Sequence, residues 1–118
     1  YTGWANQNVA ESGGSFRISH DIEEAYRGAD VVYAKSWGAL PYFGNWEPEK
    51  PIRDRYKHFI VDEAKMALTN NGVFSHCLPL RRNVKATDAV MDSPNCIAIQ
   101  EAENRLHVQK AVMAALVR

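Results

Sequence analysis

Cationic side chains recur directly after the apolar segments of this 118-residue sequence. Lys35 follows one such segment, Arg81 lies shortly after a second, and Arg105 comes after a third. If these segments are parallel strands, their carboxyl ends meet at one edge of the sheet, where ligands bind. Guanidinium groups bind carboxylate or phosphate through paired hydrogen bonds, and lysine offers a point charge. The three cations therefore favour a site for a small anion, with pairing to the fourteen acidic residues as the alternative.

The segment His76-Cys77-Leu78-Pro79 has two possible chemical roles. Neighbouring side chains on a strand point to opposite faces, so a catalytic His–Cys pair would require the chain to turn there. A nucleophilic cysteine also needs a base within hydrogen-bond reach. Pro79 predicts extended backbone at Leu78, whose carbonyl would then be free to face a ligand. We expect backbone roles at this turn ahead of nucleophilic catalysis.

Patterns for nucleotide and metal binding are weak in this sequence. The pair Gly13-Gly14 lacks both a third glycine and a preceding strand, which disfavours a dinucleotide or Walker-type phosphate loop. Cys77 and Cys96 lie in unlike contexts, so neither a zinc site nor a disulfide is expected. We therefore expect no metal and no nucleotide cofactor.

Charge and composition exclude further classes of function. Fourteen basic residues balance fourteen acidic ones, which argues against a nucleic-acid partner and against binding to an anionic membrane surface. No apolar run approaches the roughly 18 residues of a membrane span, and the first twenty residues show no signal-peptide pattern. We expect a globular domain of a cytoplasmic protein.

Periodicity and turn residues predict helices alternating with short apolar strands, the pattern of an α/β domain with a parallel sheet. The predicted strands are four: 16–18, 31–34, 73–75 and 96–99. The predicted helices are 4–12, 21–28, 52–58, 62–68, a short one capped by Thr87, and 101–117. The stretch 35–51, rich in proline and tryptophan, is predicted as a long loop that either forms a binding site or packs as an irregular excursion.

The last predicted helix is apolar nearly all round over its second half, residues 111–117. One packing face cannot bury so much apolar surface in a domain of this size. We expect this helix to pack against a partner outside this sequence.

Two motifs in this order and spacing carry a resemblance to a known family. His76-Cys77-Leu78-Pro79 is followed about twenty residues later by Glu101-Ala102-Glu103-Asn104-Arg105-Leu106-His107. Together they resemble the second half of an aspartate/ornithine carbamoyltransferase, over essentially the whole chain. The segments 35–41 and 80–85 further resemble the branch that acts on N-acetylated or N-succinylated ornithine.

The resemblance implies a three-layer, Rossmann-like sandwich with a mainly parallel sheet, which binds the amino-acid substrate. It also implies transfer of a carbamoyl group from carbamoyl phosphate to the δ-amine of N-acetyl-L-ornithine, without a metal or organic cofactor. Such enzymes form trimers and place the site between two domains. A Ser-x-Arg-Thr loop of the first domain is absent from this sequence, which also lacks an initial Met. We therefore expect residues 1–118 to be the second domain alone, without activity by itself.

The resemblance also assigns roles residue by residue. Cys77 and Leu78 would hold carbamoyl phosphate through backbone groups, and Arg105 would contact the same substrate. Lys35 and Leu78 would bind N-acetylornithine, and Arg81 is the candidate catalytic residue. Lys85 matches a lysine that is carboxylated in the acetylornithine branch, with an unmodified surface lysine as the alternative.

Two other interpretations stay open at this point. The chain could be a non-catalytic half-domain that associates with itself or another protein through its apolar last helix. It could also belong to a relative specific for N-succinylornithine, because part of that choice would depend on residues outside this sequence.

Overall fold

The computed structural model describes residues 1–117 and shows helices alternating with strands. In this part of the chain, six α-helices and two strands follow one another in the order α1, α2, β1, α3, α4, β2, α5, α6. The helices are α1 (Thr2–Ser12), α2 (Ile22–Tyr26), α3 (Trp46–Arg55), α4 (Glu63–Met66), α5 (Asp88–Met91) and α6 (Ala98–Leu116). The strands are β1 (Val31–Ala34) and β2 (Val73–His76), and short 3-10 turns lie at Leu40–Tyr42 and Lys57–Phe59.

The two strands pair in parallel, with Val31 opposite Val73 and Ala34 opposite His76. Parallel neighbours require a crossover connection, which α3 and α4 provide here. A third segment joins the sheet at one residue only: the Phe74 N–H donates to the Asn95 carbonyl, and the Phe74 carbonyl accepts from Ile97. The predicted α/β class with a parallel sheet is confirmed.

Two of the four predicted strands are wrong as strands. Residues 16–18 have no regular structure, and the segment 96–99 is reduced to the bridge between Phe74 and Cys96 because α6 already begins at Ala98. Both segments contain apolar residues, but Phe16 and Ile18 stay exposed and form no ladder. A short apolar run does not by itself determine whether a ladder forms.

The core lies against β2. Its buried members are Val61, Phe74, Ala86 and Val90, and Phe74 is fully enclosed. The backbone of Val61 bridges to the segment 85–87: its N–H donates to the Lys85 carbonyl and its own carbonyl accepts from Thr87. The core therefore holds the chain around Lys85 in place.

Side-chain caps begin three of the short helices, and the cap at Thr87 was predicted from the sequence. Asp21 accepts from the N–H of Glu24, Asp62 from that of Lys65, and Thr87 from that of Val90. Each cap satisfies a backbone donor that the first helical turn leaves unpaired.

The prediction of a long loop over 35–51 is confirmed for its first part and wrong from Trp46 onward. The segment is irregular up to the 3-10 turn, but α3 starts at Trp46 and runs through Pro51 to Arg55. Pro51 lacks a backbone donor, and the helix continues through it. The Lys50–Asp54 ion pair at 2.6 Å and Arg53, stacked 3.7 Å from the Trp46 ring centre, support this helix from its side chains.

The apolar second half of α6 is exposed. Val108, Val112, Met113 and Leu116 each leave half or more of their surface uncovered. This agrees with the sequence analysis, and packing against a partner outside the chain stays a prediction. No helix within residues 1–117 has the length and apolar character needed to cross a bilayer.

Replacing Phe74 tests the position of the core. We expect Phe74→Ala to lower the free energy of unfolding by about 3–5 kcal/mol, because it opens a cavity under β2. Phe74→Leu should cost less, roughly 1 kcal/mol, and keeps the test usable if the alanine variant does not fold. The matched control is Phe16→Ala, since Phe16 is 43% exposed. Urea denaturation would contradict the core assignment if the Phe16 and Phe74 variants lost equal stability.

Candidate functional site

Lys35 and Cys77 come together at the carboxyl edge of the sheet. Each directly follows the last residue of its strand, and those residues, Ala34 and His76, are register partners. The Lys35 Nζ lies 3.3 Å from the Cys77 Sγ. The structure thus brings together two of the residues predicted for substrate binding.

The turn after β2 differs from the extended backbone predicted at Leu78. Leu78 has a φ of 44°, in the left-handed region that a side chain with a Cβ rarely occupies, and a cis peptide joins it to Pro79. The Leu78 N–H donates to Nδ1 of His76 at 2.9 Å, which ties the turn back to the strand end. Among residues 1–117, no donor reaches the Leu78 carbonyl. The predicted availability of that carbonyl therefore holds, although the predicted conformation was wrong.

His76 is a buried neutral ring. Burial lowers its pKa, and the nearby Lys35 charge lowers it further. A neutral imidazole that accepts at Nδ1 carries its proton on Nε2. That Nε2 is buried and has no hydrogen-bond partner in the described part of the chain.

Lys85 forms a second cationic centre. It is 8% exposed, donates from Nζ to the Trp37 carbonyl at 2.8 Å, and lies 3.4 Å from the Trp37 ring centre. Burial, together with the charges of Arg53 and Arg81, lowers its pKa to about 8. Roughly a tenth of this amine is therefore unprotonated at pH 7, far more than for an ordinary lysine, which makes it a better nucleophile.

A cavity of about 620 Å³ joins Lys85 to the surface. Its charged and aromatic lining includes Trp37, Trp46, Glu49, Arg53, Arg81 and Lys85. A concave site with aromatic walls and three cations against one acid suits a small polar ligand that carries negative charge.

The convergence of Lys35, Arg81 and Arg105 stays a prediction, because Lys35 contacts Cys77 and does not line the cavity that holds Arg81. Arg81 lies in the cavity wall, 5.5 Å from the Trp46 ring centre, together with Lys85. Arg105 is exposed on α6 and makes no side-chain hydrogen bond or ion pair with residues 1–117. Its role at the site stays a prediction.

The structure adds groups that the sequence analysis did not single out. Tyr33 and Ser75 both donate hydrogen bonds to the Glu101 carboxylate, and Arg53 lies beside Lys85. Tyr33 and Ser75 sit two residues before Lys35 and Cys77, on the same faces of their strands. That alternation was a usable signal for them, whereas nothing in the sequence pointed to Arg53. Within residues 1–117, no group of three His, Cys, Asp or Glu side chains converges as a metal site would require.

The family comparison decides how this site is classified. A model of the aspartate/ornithine carbamoyltransferase family, Asp/Orn binding domain, matches residues 1–116. The chain belongs to this family.

Similar proteins are named for the acetylornithine branch. The chain is 87% identical over 117 residues to an N-acetylornithine carbamoyltransferase of Xanthomonas campestris, covering 99% of this chain and 34% of that protein. An ornithine carbamoyltransferase of Thermococcus kodakarensis is 43% identical over 115 residues, which are 94% of this chain and 35% of the relative. The chain thus spans about a third of the length of these carbamoyltransferases.

Solved carbamoyltransferase structures superpose closely. An acetylornithine transcarbamylase complexed with acetylcitrulline matches with a TM-score of 0.87 and 86% identity, over 100% of this chain and 35% of that one. A variant of N-acetyl-L-ornithine transcarbamylase complexed with carbamyl phosphate and N-succinyl-L-norvaline matches with a TM-score of 0.86 and 87% identity, over 99% and 35%.

The pKa of Lys85 offers a direct test of the cavity's electrostatics. We expect Arg53→Gln to raise this pKa from about 8 toward the ordinary lysine value, because it removes a neighbouring positive charge. Carbon-13 NMR of the lysine side chains across a pH titration would measure the change. Arg55→Gln is the matched control, an exposed arginine on the same helix. An equal pKa of Lys85 in both variants would contradict the proposed influence of Arg53.

Proposed function

We propose that this chain is the amino-acid-binding part of an N-acetylornithine carbamoyltransferase, which transfers a carbamoyl group from carbamoyl phosphate to the δ-amine of N-acetyl-L-ornithine. The observation that carries the proposal is 87% identity to a protein of that name over 99% of this chain. Arginine biosynthesis is the corresponding biological role, and a cytoplasmic location remains a prediction from the sequence.

The reaction is an acyl transfer in which no protein nucleophile is needed. The neutral δ-amine attacks the carbonyl carbon of carbamoyl phosphate, and a tetrahedral oxyanion forms. The bond from carbon to the phosphate oxygen then breaks, phosphate leaves, and the amine loses a proton. Positioning of the two substrates and stabilisation of the oxyanion are therefore what the protein must supply.

Residues at the sheet edge are suited to the positioning. In this proposal the backbone of Cys77 and Leu78 holds carbamoyl phosphate, and the free Leu78 carbonyl accepts a hydrogen bond from the δ-amine. Lys35, beside Cys77, binds the acylated ornithine. Support comes from the turn at Leu78, because its N–H is already used by His76 while its carbonyl has no partner within residues 1–117.

Two arginines supply permanent positive charge. We assign Arg105 to carbamoyl phosphate and Arg81 to stabilisation of the charge that develops as phosphate leaves. A guanidinium keeps its charge at every relevant pH and can bind two oxygens at once. The cavity lining supports the role of Arg81, because it lies there with Lys85 and Arg53.

The rest of the site lies outside this chain in the proposal. The chain spans about a third of its relatives' length and has no Ser-x-Arg-Thr loop to grip the phosphate. We therefore propose that a separate carbamoyl-phosphate domain completes the site, that the intact enzyme is a trimer, and that residues 1–118 alone have no activity.

Lys85 is proposed to carry a carbamate. Its unprotonated amine would attack carbon dioxide, forming a nitrogen–carbon bond and releasing one proton. Support comes from its burial, its pKa of about 8 and the flanking charges of Arg53 and Arg81, which would stabilise the carbamate anion.

A second candidate function follows from the exposed apolar residues of α6, among them Val112 and Leu116. They favour a half-domain that associates with itself or with another protein. Light scattering on the 118-residue chain separates the cases, since a monomer at high concentration would contradict self-association.

The transfer reaction is tested with the full-length protein and with the 118-residue chain side by side. We expect the full-length protein to convert carbamoyl phosphate and N-acetyl-L-ornithine to N-acetylcitrulline and phosphate in equal amounts, and the chain alone to release no phosphate. Free ornithine and N-succinylornithine are the comparison substrates. Preference for free ornithine would refute the assignment, and preference for N-succinylornithine would move it to the succinyl alternative.

Carboxylation of Lys85 is tested by NMR with carbon-13 bicarbonate. We expect one carbamate signal that is absent from Lys85→Arg and present in Lys65→Arg. Lys65 is the control because it is also partly buried but is paired with Asp62 at 2.6 Å. A bare amine at Lys85 under saturating bicarbonate would contradict the modification.

A further inference from the structure

Glu101 connects both strands to the last helix. Tyr33 of β1 and Ser75 of β2 are register partners, so their side chains leave the same face of the sheet side by side. The Tyr33 hydroxyl donates to Glu101 Oε1 at 2.8 Å, and the Ser75 hydroxyl donates to Glu101 Oε2. One carboxylate of α6 thus receives a hydrogen bond from each strand.

Three of the proposed site residues lie a short distance along the chain from the residues of this hydrogen-bonded junction. Lys35 lies two residues after Tyr33, and Cys77 lies two residues after Ser75, so each follows on the same side of its chain. Arg105 lies four residues after Glu101, which is one turn further along the same face of α6. The contact between Lys35 and Cys77 shows that the side chains stay side by side one residue beyond the paired strands.

Near neutral pH the Glu101 carboxylate is charged and the Tyr33 phenol is protonated. The hydrogen bonds from Ser75 and Tyr33 lower the pKa of Glu101, so the carboxylate stays ionised. The hydrogen bond to Glu101 raises the pKa of Tyr33 to about 12, so the phenol keeps the proton that it donates. A charge-assisted hydrogen bond of this kind is shorter and stronger than a neutral one.

We propose that Glu101 is a positioning residue for the carbamoyl transfer: by accepting from Tyr33 and Ser75 it sets the place of α6, and hence of Arg105, relative to Lys35 and Cys77. The effect of Glu101 on carbamoyl transfer rests on the proposed function. The contacts themselves do not depend on it.

The test uses the full-length protein with Glu101→Ala and Glu101→Gln. We expect the alanine variant to raise KM for carbamoyl phosphate by roughly tenfold, the scale of one charge-assisted hydrogen bond, because Arg105 loses its placement. The glutamine variant should recover most of this loss, since its amide oxygen accepts from one hydroxyl and its NH₂ group donates to the other.

The matched control is Glu103→Ala, which removes an equal charge from the same helix. Glu103 is exposed, and its one ion pair with residues 1–117 is with His107, at 3.7 Å. If Glu101→Ala behaves like Glu103→Ala, the proposal is overturned. It is also overturned if Glu101→Ala lowers kcat and thermal stability without raising KM, because that pattern marks a structural role only.

A double-mutant cycle tests whether Tyr33 affects KM through its hydrogen bond to Glu101. We expect Tyr33→Phe to raise KM in the parent but to add nothing in the Glu101→Ala background, because both variants break the same connection. Additive effects would mean that Tyr33 acts through another contact and would contradict the proposal.

NMR, which does not depend on enzyme activity, tests the positioning role of Glu101 separately from the proposed function. In the 118-residue chain, Glu101→Ala should shift the backbone amide NMR signals of Cys77 and Arg105, and Glu103→Ala should leave the Cys77 signal unchanged. A full-length parent without transfer activity would refute the proposed function alone. Unshifted Cys77 and Arg105 signals would refute the positioning role of Glu101.

Discussion

The parallel pairing of β1 with β2 is the constraint on which the rest of the structure depends. Its register places Ala34 opposite His76, so the two strands end side by side and Lys35 contacts Cys77. The same register places Tyr33 beside Ser75, where one carboxylate of α6 can accept from both. A slip of one residue would turn every side chain of a strand to the other face and undo both contacts.

The distribution of charge matters more here than its sum. The sequence has zero net charge, yet Arg53, Arg81 and Lys85 share one cavity with a single acid, Glu49. Burying a cation is unfavourable, and the Trp37 carbonyl and ring offset only part of that cost for Lys85. The remainder appears as a lowered pKa, which leaves a reactive amine near a group of permanent cations.

Local structure followed the sequence wherever neighbours in the chain were sufficient. Thr87 caps its helix as expected and Asp62 caps α4 in the same way, because an N-cap needs only a side chain and a backbone donor two or three residues away. Gly13 ends α1 with a positive φ for a similarly local reason. The strand prediction failed where partners were distant, since Cys96 finds one bridge instead of a strand. The loop prediction failed for a local reason: proline suggested a break, but contacts within α3 support a helix through Pro51.

The sequence by itself determined the parallel α/β class, the two paired strands, and the motifs around Cys77 and Arg105 that carry the family resemblance. Only the tertiary structure decided that Leu78 is left-handed, that Arg53 flanks Lys85, and that Glu101 joins both strands to α6. The physical reason is that strands, caps and motifs depend on residue type and short spacing. Burial, pKa shifts and contacts across 26 or 68 residues depend on which distant groups the fold brings together.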